Sequence, residues 1–259
     1  MPSRFHNPLQ LQTEAAEVYA YPEAGPLVLS CEHASAHIPP PLQTTASDRE
    51  WLGTHWALDI GAREVTLALA EYTRSPAVLA RFSRLLCDPN RHHHRDDLVL
   101  RSVEGVPLSF NQNLTPADIQ HRIDRFHEPF HMALDQVLRE RLVHSTPALF
   151  LSVHSFTPIW DRRLRTMDIG ILFDRYDDQA QALQQELTKE GFFVELNAPY
   201  SAMGTGLMYS ADRHGQEHDV THLELEFNQA LICTPERCRR VAHRVAAALQ
   251  RLHGHSPLS

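Results

Sequence analysis

The sequence predicts an α/β fold with a mostly parallel central sheet and helices on both faces. Six short apolar runs have the length of strands, and segments with helical periodicity separate most of them. Strands that alternate with helices form βαβ units, whose parallel sheets are covered on both sides. Because the 259 residues contain no visible linker or repeat, we expect one domain over residues 1–259.

Each predicted strand is an apolar run that ends at polar or turn-forming residues. The first, at 27–31, leads into "EHASAHIPP", whose prolines turn the chain away. Another, at 148–153, leads in the same way into "HSFTP". Ligand sites of open α/β sheets form outside the carboxyl ends of the strands, so both segments fall where function is usually built. The remaining strands are predicted at 77–81, 169–173, 192–196 and 223–227.

Residues 55–74 and 115–144 supply the first predicted helices. In residues 55–74, apolar side chains recur at helical spacing and form one stripe: Leu58, Ala62, Val65, Leu69 and Tyr72. Residues 115–144 form one long helix or two, with Thr115 as N-cap and Pro116 in the first helical position, where proline is favoured.

The two later helices are marked by the residues at their ends. Residues 177–193 begin with an aspartate cap and reach Gly191 at a C′ position. The last helix, 234–254, begins with Thr–Pro and ends on glycine. Residues 198–219, which contain three glycines, are predicted to form a mobile rim of a site or a plain surface loop.

Composition and charge exclude several classes of function. The formal net charge of −8 argues against nucleic acid or an anionic membrane surface as the main partner. No stretch approaches the roughly 20 apolar residues of a membrane span, and no signal-peptide core is visible. No CxxC pair is present, and Cys31 and Cys87, inside apolar runs, are expected to be buried. The cytoplasm is the expected location.

Histidine accounts for 18 of the 259 residues, so position rather than number must identify a functional histidine. The tract "RHHHR" at 91–95 suggests a metal site, but side chains of adjacent residues are expected to point in different directions. We interpret this tract as a polar loop. His33 and His154 are more informative, because each follows a predicted strand.

His33 and His154 could bind one metal ion if their strands are neighbours in the sheet. A hydrolytic zinc site uses three protein ligands, usually histidines and a carboxylate, and keeps one position open. The carboxylates to consider are Asp59, Glu64 and Glu32. The alternative is that both histidines are buried, hydrogen-bonded loop residues.

Two further groups of polar residues belong to predicted strands or follow them. "FSRLLCDPNR" carries Arg84 and Arg91, whose planar guanidinium groups suit a carboxylate, although Arg–Asp pairs that fix a loop are an alternative. In "LELEF", Glu224 and Glu226 have the same parity and face one side of the sheet. Buried carboxylates are costly unless they are paired or used, and Glu226 is nearer to the strand's carboxyl end.

These motifs together resemble those of the N-formylglutamate amidohydrolase family. The matching segments occur in family order and span about residues 26–250, which we take as the domain core: "VLSCEHASAHIPP", "HWALDIGA", "FSRLLCDPNR", "HSFTP" with "DIGIL", "NAPYS" and "LELEFNQAL". The first motif is similar to a broader "CEHAS" branch, whereas the motif of the histidine-degradation deformylases reads closer to "PHSG". The resemblance therefore implies the chemistry more than the substrate.

The resemblance implies a three-layer α/β/α sandwich like that of zinc exopeptidases, of phosphorylase/hydrolase-like type. It also implies a zinc-dependent amidohydrolase that acts on linear amides. The metal-binding motifs correspond to His33, Asp59 and His154, and Zn²⁺ is the expected ion, although other divalent ions accept the same ligands. The late glutamate of the family corresponds to Glu226, which is implied as the general base.

The resemblance also implies residues for the substrate. Arg84, Asn90 and Arg91 match a segment that looks like a clamp for a substrate carboxylate, with Arg84 also stabilising the transition state. Arg165 is a further candidate for holding that carboxylate, and Asn111 or Asn113 matches another family asparagine. The expected substrate is a small acidic N-acyl amino acid.

Two other functions stay open at this point. One is a serine or cysteine hydrolase that uses Ser35, Ser155 or Cys31, although the sequence contains no GxSxG motif. The other is a non-catalytic protein that binds a metal or an acidic metabolite on the same fold. Neither nucleic acid nor a membrane is an expected partner, and exposed leucine and methionine in 198–219 leave a homo-oligomer open.

Overall fold

The computed structural model describes residues 9–21, 25–144 and 149–254. The described residues form twelve strands: β1 (Leu9–Gln12), β2 (Ala16–Ala20), β3 (Leu27–Cys31), β4 (Ala77–Ala80), β5 (Ser102–Val103), β6 (Val106–Pro107), β7 (Leu149–Phe156), β8 (Ile159–Trp160), β9 (Arg163–Leu164), β10 (Ile169–Leu172), β11 (Val194–Leu196) and β12 (His222–Asn228). Eight of them form one sheet in the order β1-β2-β4-β3-β7-β12-β10-β11. The other four form two small hairpins, β5–β6 and β8–β9.

The centre of the sheet is parallel, as predicted. β4, β3, β7 and β12 are neighbours and run in the same direction, and β10 pairs in parallel with β11. Antiparallel pairs join β1 to β2, β2 to β4 and β10 to β12. The six predicted strands correspond to β3, β4, β7, β10, β11 and β12, whereas the sequence does not predict β1 and β2. Residue 148, at the start of one predicted strand, lies outside the described residues.

The helices are α1 (Ala46–Leu52), α2 (Ala62–Thr73), α3 (Pro116–Arg122), α4 (Glu128–His144), α5 (Asp177–Lys189), α6 (Tyr209–Glu217) and α7 (Pro235–Gly254). Two 3₁₀ turns, at Asp96–Leu98 and Ser109–Asn111, and a π-helical turn at Ile123–His127 complete them. Among the described residues, none of these helices combines the length and the apolar character that a membrane span requires.

Helices cover both faces of the sheet and produce the expected three layers. α2, α5 and α7 pack on one face, and α4 and α6 pack on the other. Successive residues of a strand point to opposite faces, so Leu151 and Val153 of β7 join the first core and Phe150 joins the second. Ser152 and His154 of β7, with Glu224 and Glu226 of β12, share the face of Phe150, towards α4 and α6.

Helix boundaries differ from the predicted ones in two places. α2 begins at Ala62 rather than at residue 55, because Gly61 has a φ of +82° and turns precede it, so Leu58 lies outside the helix. Tyr176 occupies the N-cap of α5 without a side-chain hydrogen bond, and the expected cap, Asp177, is its first helical residue. The Thr115 cap and the left-handed Gly191 after α5 are confirmed.

Part of the predicted rim is a helix. Residues 209–217 form α6, and Gly215 lies buried within it, so the loop prediction is wrong for this stretch. A Cβ on Gly215 would collide with the His222 ring, and glycine therefore permits the close approach of α6 to β12. Helix α1 is also unpredicted, although Thr45 forms a capping box with Asp48.

Candidate metal centre

The register of two parallel strands brings His33 and His154 together. In β3 and β7, Ser30 lies opposite Ser152, so the carboxyl ends of both strands reach the same edge. His33 stands just beyond β3, and His154 stands two residues after Ser152 on β7. The ring centroids of the two histidines are 4.8 Å apart. Two residues that are far apart in the sequence thus meet at one point.

Asp59 completes a group of three possible ligands. Its Oδ2 atom is 2.8 Å from His154 Nδ1 and 3.3 Å from His33 Nδ1. The Asp59 N–H donates to the His33 carbonyl at 3.0 Å, which fixes the turn before α2. One ligand atom from each of the three residues lies within 4.8 Å of the others, and all three residues are buried. Glu64, the alternative carboxylate, is exposed on α2 and lies outside this group.

A second carboxylate fixes the ring of His33. Asp88 Oδ1 lies 2.8 Å from His33 Nε2, so this nitrogen carries a proton and donates it. The lone pair of Nδ1 then faces Asp59 and accepts a hydrogen bond from Arg84 Nη1 at 3.1 Å. A carboxylate on the far nitrogen of a metal-binding histidine sets the orientation of the ring and raises its basicity.

His154 is fixed from the opposite side of the group. Its Nε2 is 3.1 Å from Glu32 Oε2 and 3.0 Å from Ser152 Oγ. The Ser152 hydroxyl donates to the same Glu32 oxygen at 2.7 Å, and Glu224 Oε2 lies 3.5 Å from the His154 nitrogen. The proton on Nε2 is therefore directed at carboxylates, which leaves Nδ1 for Asp59. The sequence offered Glu32 as a possible metal ligand. In the structure, Glu32 instead orients His154, which is a candidate ligand.

The charges at this edge stabilise one another. Burial opposes the charged form of Asp59, but His33 and His154 hold its pKa well below the ordinary value. Burial also opposes a charged His154, yet Glu224, Asp59 and Glu32 outweigh it and raise the pKa well above the ordinary value. The pKa of Glu32 falls to about 2 despite burial, because His154 and Ser152 hydrogen-bond to it. The site thus attracts positive charge strongly.

Glu226 faces the same group from β12. It lies opposite His154 in the register, and Glu224 lies opposite Ser152, so both carboxylates share the face of the histidine. Glu226 is 6% exposed, and among the described residues its Oε2 has no hydrogen-bond partner. Burial, followed by the charges of Asp59 and Glu224, raises the pKa of Glu226 well above its ordinary value.

The group lines a cavity of about 320 Å³. One wall of this cavity is aromatic and comprises His55, Trp56, Phe156, Trp160 and Tyr200. The ring centroids of Trp56 and Trp160 are 6.5 Å apart. A concave site of this size, with an apolar wall and a few convergent polar groups, is typical of small-molecule binding.

The residues of this group fit a divalent metal ion. Two imidazole nitrogens and one carboxylate oxygen converge, which is a donor set of hydrolytic zinc sites. The other nitrogen of each histidine is held by a carboxylate, as in known zinc sites. Within the described residues, Glu32 Oε1 and Glu226 Oε2 are buried without a partner, so the protein's own donors do not satisfy the negative charge.

Arg84 and Arg91 line the cavity, and both also form the Arg–Asp pairs considered as an alternative. Arg84 Nη2 donates to Asp88 at 2.8 Å, and its Nη1 lies 3.6 Å from Asp59 Oδ1. Arg91 Nε donates to Asp97, which also lines the cavity, at 3.3 Å. Each of these two arginines therefore pairs with an aspartate and also lines the cavity.

Asn90 and Arg165 have contacts that the sequence does not predict. The Asn90 amide donates to Glu224 at 3.4 Å and accepts from Ser210 N at 3.0 Å, so it joins β12 to α6 while also lining the cavity. Arg165 is not a lining residue, and it reaches the cavity wall through the Tyr200 hydroxyl, at 3.3 Å. Substrate binding by both residues stays a prediction.

Several other residues considered from the sequence are already engaged. The Asn111 side chain is buried and donates to the Leu85 carbonyl at 2.8 Å, and Asn113 is exposed. Cys31 is buried as expected, and burial raises the pKa of its thiol. The Ser155 hydroxyl donates to the Ile60 carbonyl at 2.9 Å. None of these four side chains presents a free nucleophile or ligand to the cavity.

The histidine tract at 91–95 differs from the expectation. The Arg95 N–H bonds to the His92 carbonyl at 2.9 Å and closes a tight turn. The turn brings the rings together, with centroids of His92 and His93 4.4 Å apart and those of His93 and His94 4.1 Å apart. The prediction that adjacent side chains diverge is therefore wrong, although the three histidines lie outside the cavity lining.

Sequence reasoning missed the residues that hold the ligands and the aromatic wall. For Asp88, the signal was its i,i+4 spacing from Arg84. For Ser152, it was the shared parity with His154 on one strand. Trp56 and Trp160 carried no local signal, because their meeting depends on the placement of the β8–β9 hairpin.

Comparison with known proteins agrees with this geometry. The family model of N-formylglutamate amidohydrolase matches residues 25–233. A gene product of Agrobacterium tumefaciens is 27% identical, with a TM-score of 0.83 over 93% of this chain and 95% of that one. An N-formylglutamate amidohydrolase from Ralstonia eutropha is 19% identical, with a TM-score of 0.69 over 92% and 99%. No curated protein matches the sequence. The chain belongs to the N-formylglutamate amidohydrolase family.

Proposed function

We propose that this family member is a zinc-dependent amidohydrolase, which cleaves the amide bond of an acidic N-acyl amino acid resembling N-formylglutamate. One observation carries the proposal: His33, Asp59 and His154 converge beside the unpartnered carboxylate of Glu226 in one cavity. Amide hydrolysis needs an activated water molecule, a base and a group that stabilises the oxyanion. The cavity offers residues for each requirement.

The residues proposed to hold the ion are His33, His154 and Asp59, each through the atom that faces the other two. A zinc ion bound there lowers the pKa of water and polarises the amide carbonyl. Asp88 and Glu32 hold the Nε2 atoms of the two histidines, so that both Nδ1 atoms face Asp59. This arrangement supports binding without rearrangement of the ligands.

Glu226 is the proposed general base. With no partner on Oε2, it is free to accept a proton from the attacking water and to deliver it to the leaving amine. The upward shift of its pKa makes the carboxylate a stronger base than an ordinary glutamate, which supports this role. Glu224 is less free, since Asn90 donates to it at 3.4 Å.

Arg84 is the proposed stabiliser of the oxyanion. Asp88 holds one of its guanidinium nitrogens at 2.8 Å, and the other lies beside His33 and Asp59. Burial opposes its charge, but Asp88 and Asp59 raise its pKa, so the side chain stays cationic. A donor that is fixed before the reaction needs no reorganisation when charge develops.

The cavity walls are proposed to bind the substrate. Arg91 lines the cavity and suits a substrate carboxylate, with Asn90 beside it. Arg165 acts on the same wall through Tyr200. Trp56 and Trp160 supply an apolar surface for the acyl group or the amino-acid side chain. We further propose a single-domain cytoplasmic enzyme with no nucleic-acid or membrane partner.

The test compares wild-type protein with Glu226→Gln in zinc content and in hydrolysis of a panel of N-acyl amino acids that includes N-formylglutamate. The variant should keep its zinc and lose about 10²–10⁴-fold in kcat, the usual contribution of general acid–base catalysis. Glu195→Gln, on strand β11 of the same sheet and outside the cavity lining, is the matched control and should keep full activity.

Other outcomes favour other functions. Full activity of Glu226→Gln would show that the base is a different residue. Activity that survives exhaustive removal of metal would support a serine or cysteine hydrolase. Tight zinc binding with no turnover of any substrate in the panel would support a non-catalytic binding protein.

A further inference from the structure

A second cluster of possible metal ligands lies between α4 and α6. It comprises Asp135 on α4, His214 on α6 and His218, which is the C-cap residue of α6. His214 and His218 are four residues apart, so they lie one turn apart on the same helix face. One ligand atom from each of the three residues lies within 4.8 Å of the others. None of the three lines the cavity of the first centre.

A chain of hydrogen bonds determines which nitrogen of His214 carries the proton. His131 Nε2 lies 3.0 Å from the Pro89 carbonyl, which only accepts, so His131 donates there. In neutral His131, Nδ1 is then an acceptor, and His214 Nε2 donates to it at 2.9 Å. His214 Nδ1 is therefore left with a lone pair.

This lone pair has no partner within the described part of the chain. His214 is 1% exposed, and its Nδ1 is among the buried polar atoms without a hydrogen bond. An unsatisfied buried acceptor is unfavourable, because it has lost water and gained nothing in exchange. A cation shared with His218 and Asp135 would satisfy it.

The helix that carries the two histidines is firmly seated. Gly215 brings α6 against the His222 ring on β12, and Asp212 accepts from His222 Nε2 at 3.1 Å. At the start of the helix, Ser210 N donates to Asn90 at 3.0 Å. These contacts fix the spacing of His214 and His218 relative to α4, as a metal site requires.

Asp135 supplies the negative charge of the cluster. Its Oδ1 lies 2.6 Å from His218 Nε2, and its Oδ2 accepts from Arg139 at 2.8 Å. The side chains of Asp135 and His218 are 19% and 8% exposed, so the cluster is reached from the surface. Water can therefore complete the coordination of an ion. Arg139 shares the carboxylate and weakens the site without blocking it.

We propose that His214, His218 and Asp135 form a second divalent-metal site of zinc type, which links α6 to α4. The donor set of two imidazoles and one carboxylate is that of zinc sites. Its place in the fold indicates a structural role, since the ion joins two helices of one layer. Through His131 and Pro89, the site also abuts the segment that contains Asp88.

The test measures zinc stoichiometry of the full-length protein by equilibrium dialysis across a series of buffered free zinc concentrations. To remove a competing surface cluster, all proteins carry His92→Ala, His93→Ala and His94→Ala. His218→Ala should hold one zinc per chain fewer than its parent. His121→Ala, which removes an exposed histidine on α3, should hold the same number as the parent.

The readout is a difference of one zinc, so it does not depend on whether the first centre binds metal. Zinc should also raise the melting temperature of the parent more than that of His218→Ala. Equal stoichiometry in the parent and in folded His218→Ala overturns the proposal. If His218→Ala does not fold, Asp135→Asn, which keeps the size of the side chain, must show the same loss of one zinc.

Discussion

The two clusters of histidine and carboxylate use the same residue types but place them in different surroundings. At the sheet edge, the far nitrogens of His33 and His154 are held by the carboxylates Asp88 and Glu32. Between α4 and α6, the far nitrogen of His214 donates to another histidine, and the chain ends on a backbone carbonyl. Carboxylates raise the basicity of an imidazole more than neutral acceptors do.

The clusters also differ in their supply of negative charge. Glu224, Glu226 and Asp59 all face the first cluster, in addition to the two carboxylates behind the histidines. The second has Asp135, whose charge Arg139 partly neutralises. The difference teaches that the choice of ligands is only part of a metal site, because the groups behind them decide how strongly it attracts a cation.

The largest effect on zinc affinity is expected at Asp59, whose carboxylate lies beside both histidines of the first centre. Asp59→Asn removes the charge between the two imidazoles, so the first centre should lose more than about 100-fold in zinc affinity, beyond the loss typical of outer groups. Hydrolysis of the N-acyl substrate should fall in parallel. Zinc titration and initial rates measure both.

Glu64→Gln is the matched control for that change, since Glu64 is exposed on α2. It should leave zinc affinity and rates unchanged. The second cluster should still bind its ion in Asp59→Asn, and joint loss of both ions would mean that the clusters are not independent.

A smaller effect is expected when a group behind a ligand is changed. Asp88→Asn keeps the shape of the side chain but removes the charge that holds His33 Nε2 and Arg84. Zinc affinity at the first centre should fall by about 10–100-fold. Asp96→Asn, at an exposed position nearby, is the control. An unchanged affinity in Asp88→Asn would mean that the carboxylate behind His33 does not strengthen the first cluster.

The smallest effect, and the one change expected to strengthen binding, lies at the second cluster. Arg139 is 66% exposed, so its pair with Asp135 is worth about 1 kcal/mol or less. Arg139→Ala frees the carboxylate and should tighten zinc binding there by up to roughly fivefold. Calorimetric titration measures the change. Weaker binding would show that Arg139 positions Asp135 rather than competing for it.

The fold could be predicted where short, continuous apolar runs alternate with segments of helical periodicity. The core strands are such runs, and their alternation with helices gave the parallel order. The antiparallel β1 (LQLQ) and β2 (AEVYA) are short and are not continuous apolar runs, so the sequence did not distinguish them from loops. α6 escaped prediction because its glycine and polar residues resemble a loop, and only contacts with β7 and β12 explain its helical form.

The candidate site could be predicted as far as strand ends reveal it. His33 and His154 follow predicted apolar runs. The alternation of side chains along β12 predicts that Glu226 faces the same side of the sheet as Glu224. The roles of Asp88 and Ser152 depend on which strands are neighbours and in which register, which the local sequence does not encode. The hydrogen bonds that set the tautomer of His214 join the Pro89 segment, α4 and α6. They could not be predicted from the local sequence either.

The β8–β9 hairpin has a consequence for how this protein can diversify. Its two strands pair with each other and not with the eight-stranded sheet, yet Trp160 from this hairpin forms part of the cavity wall. Its length and sequence can therefore change without disturbing the strands that hold the histidines. Under the proposed function, this part of the substrate-binding wall and the histidine ligands lie on separate pieces of the chain, so the hairpin can be exchanged while the ligands are inherited intact.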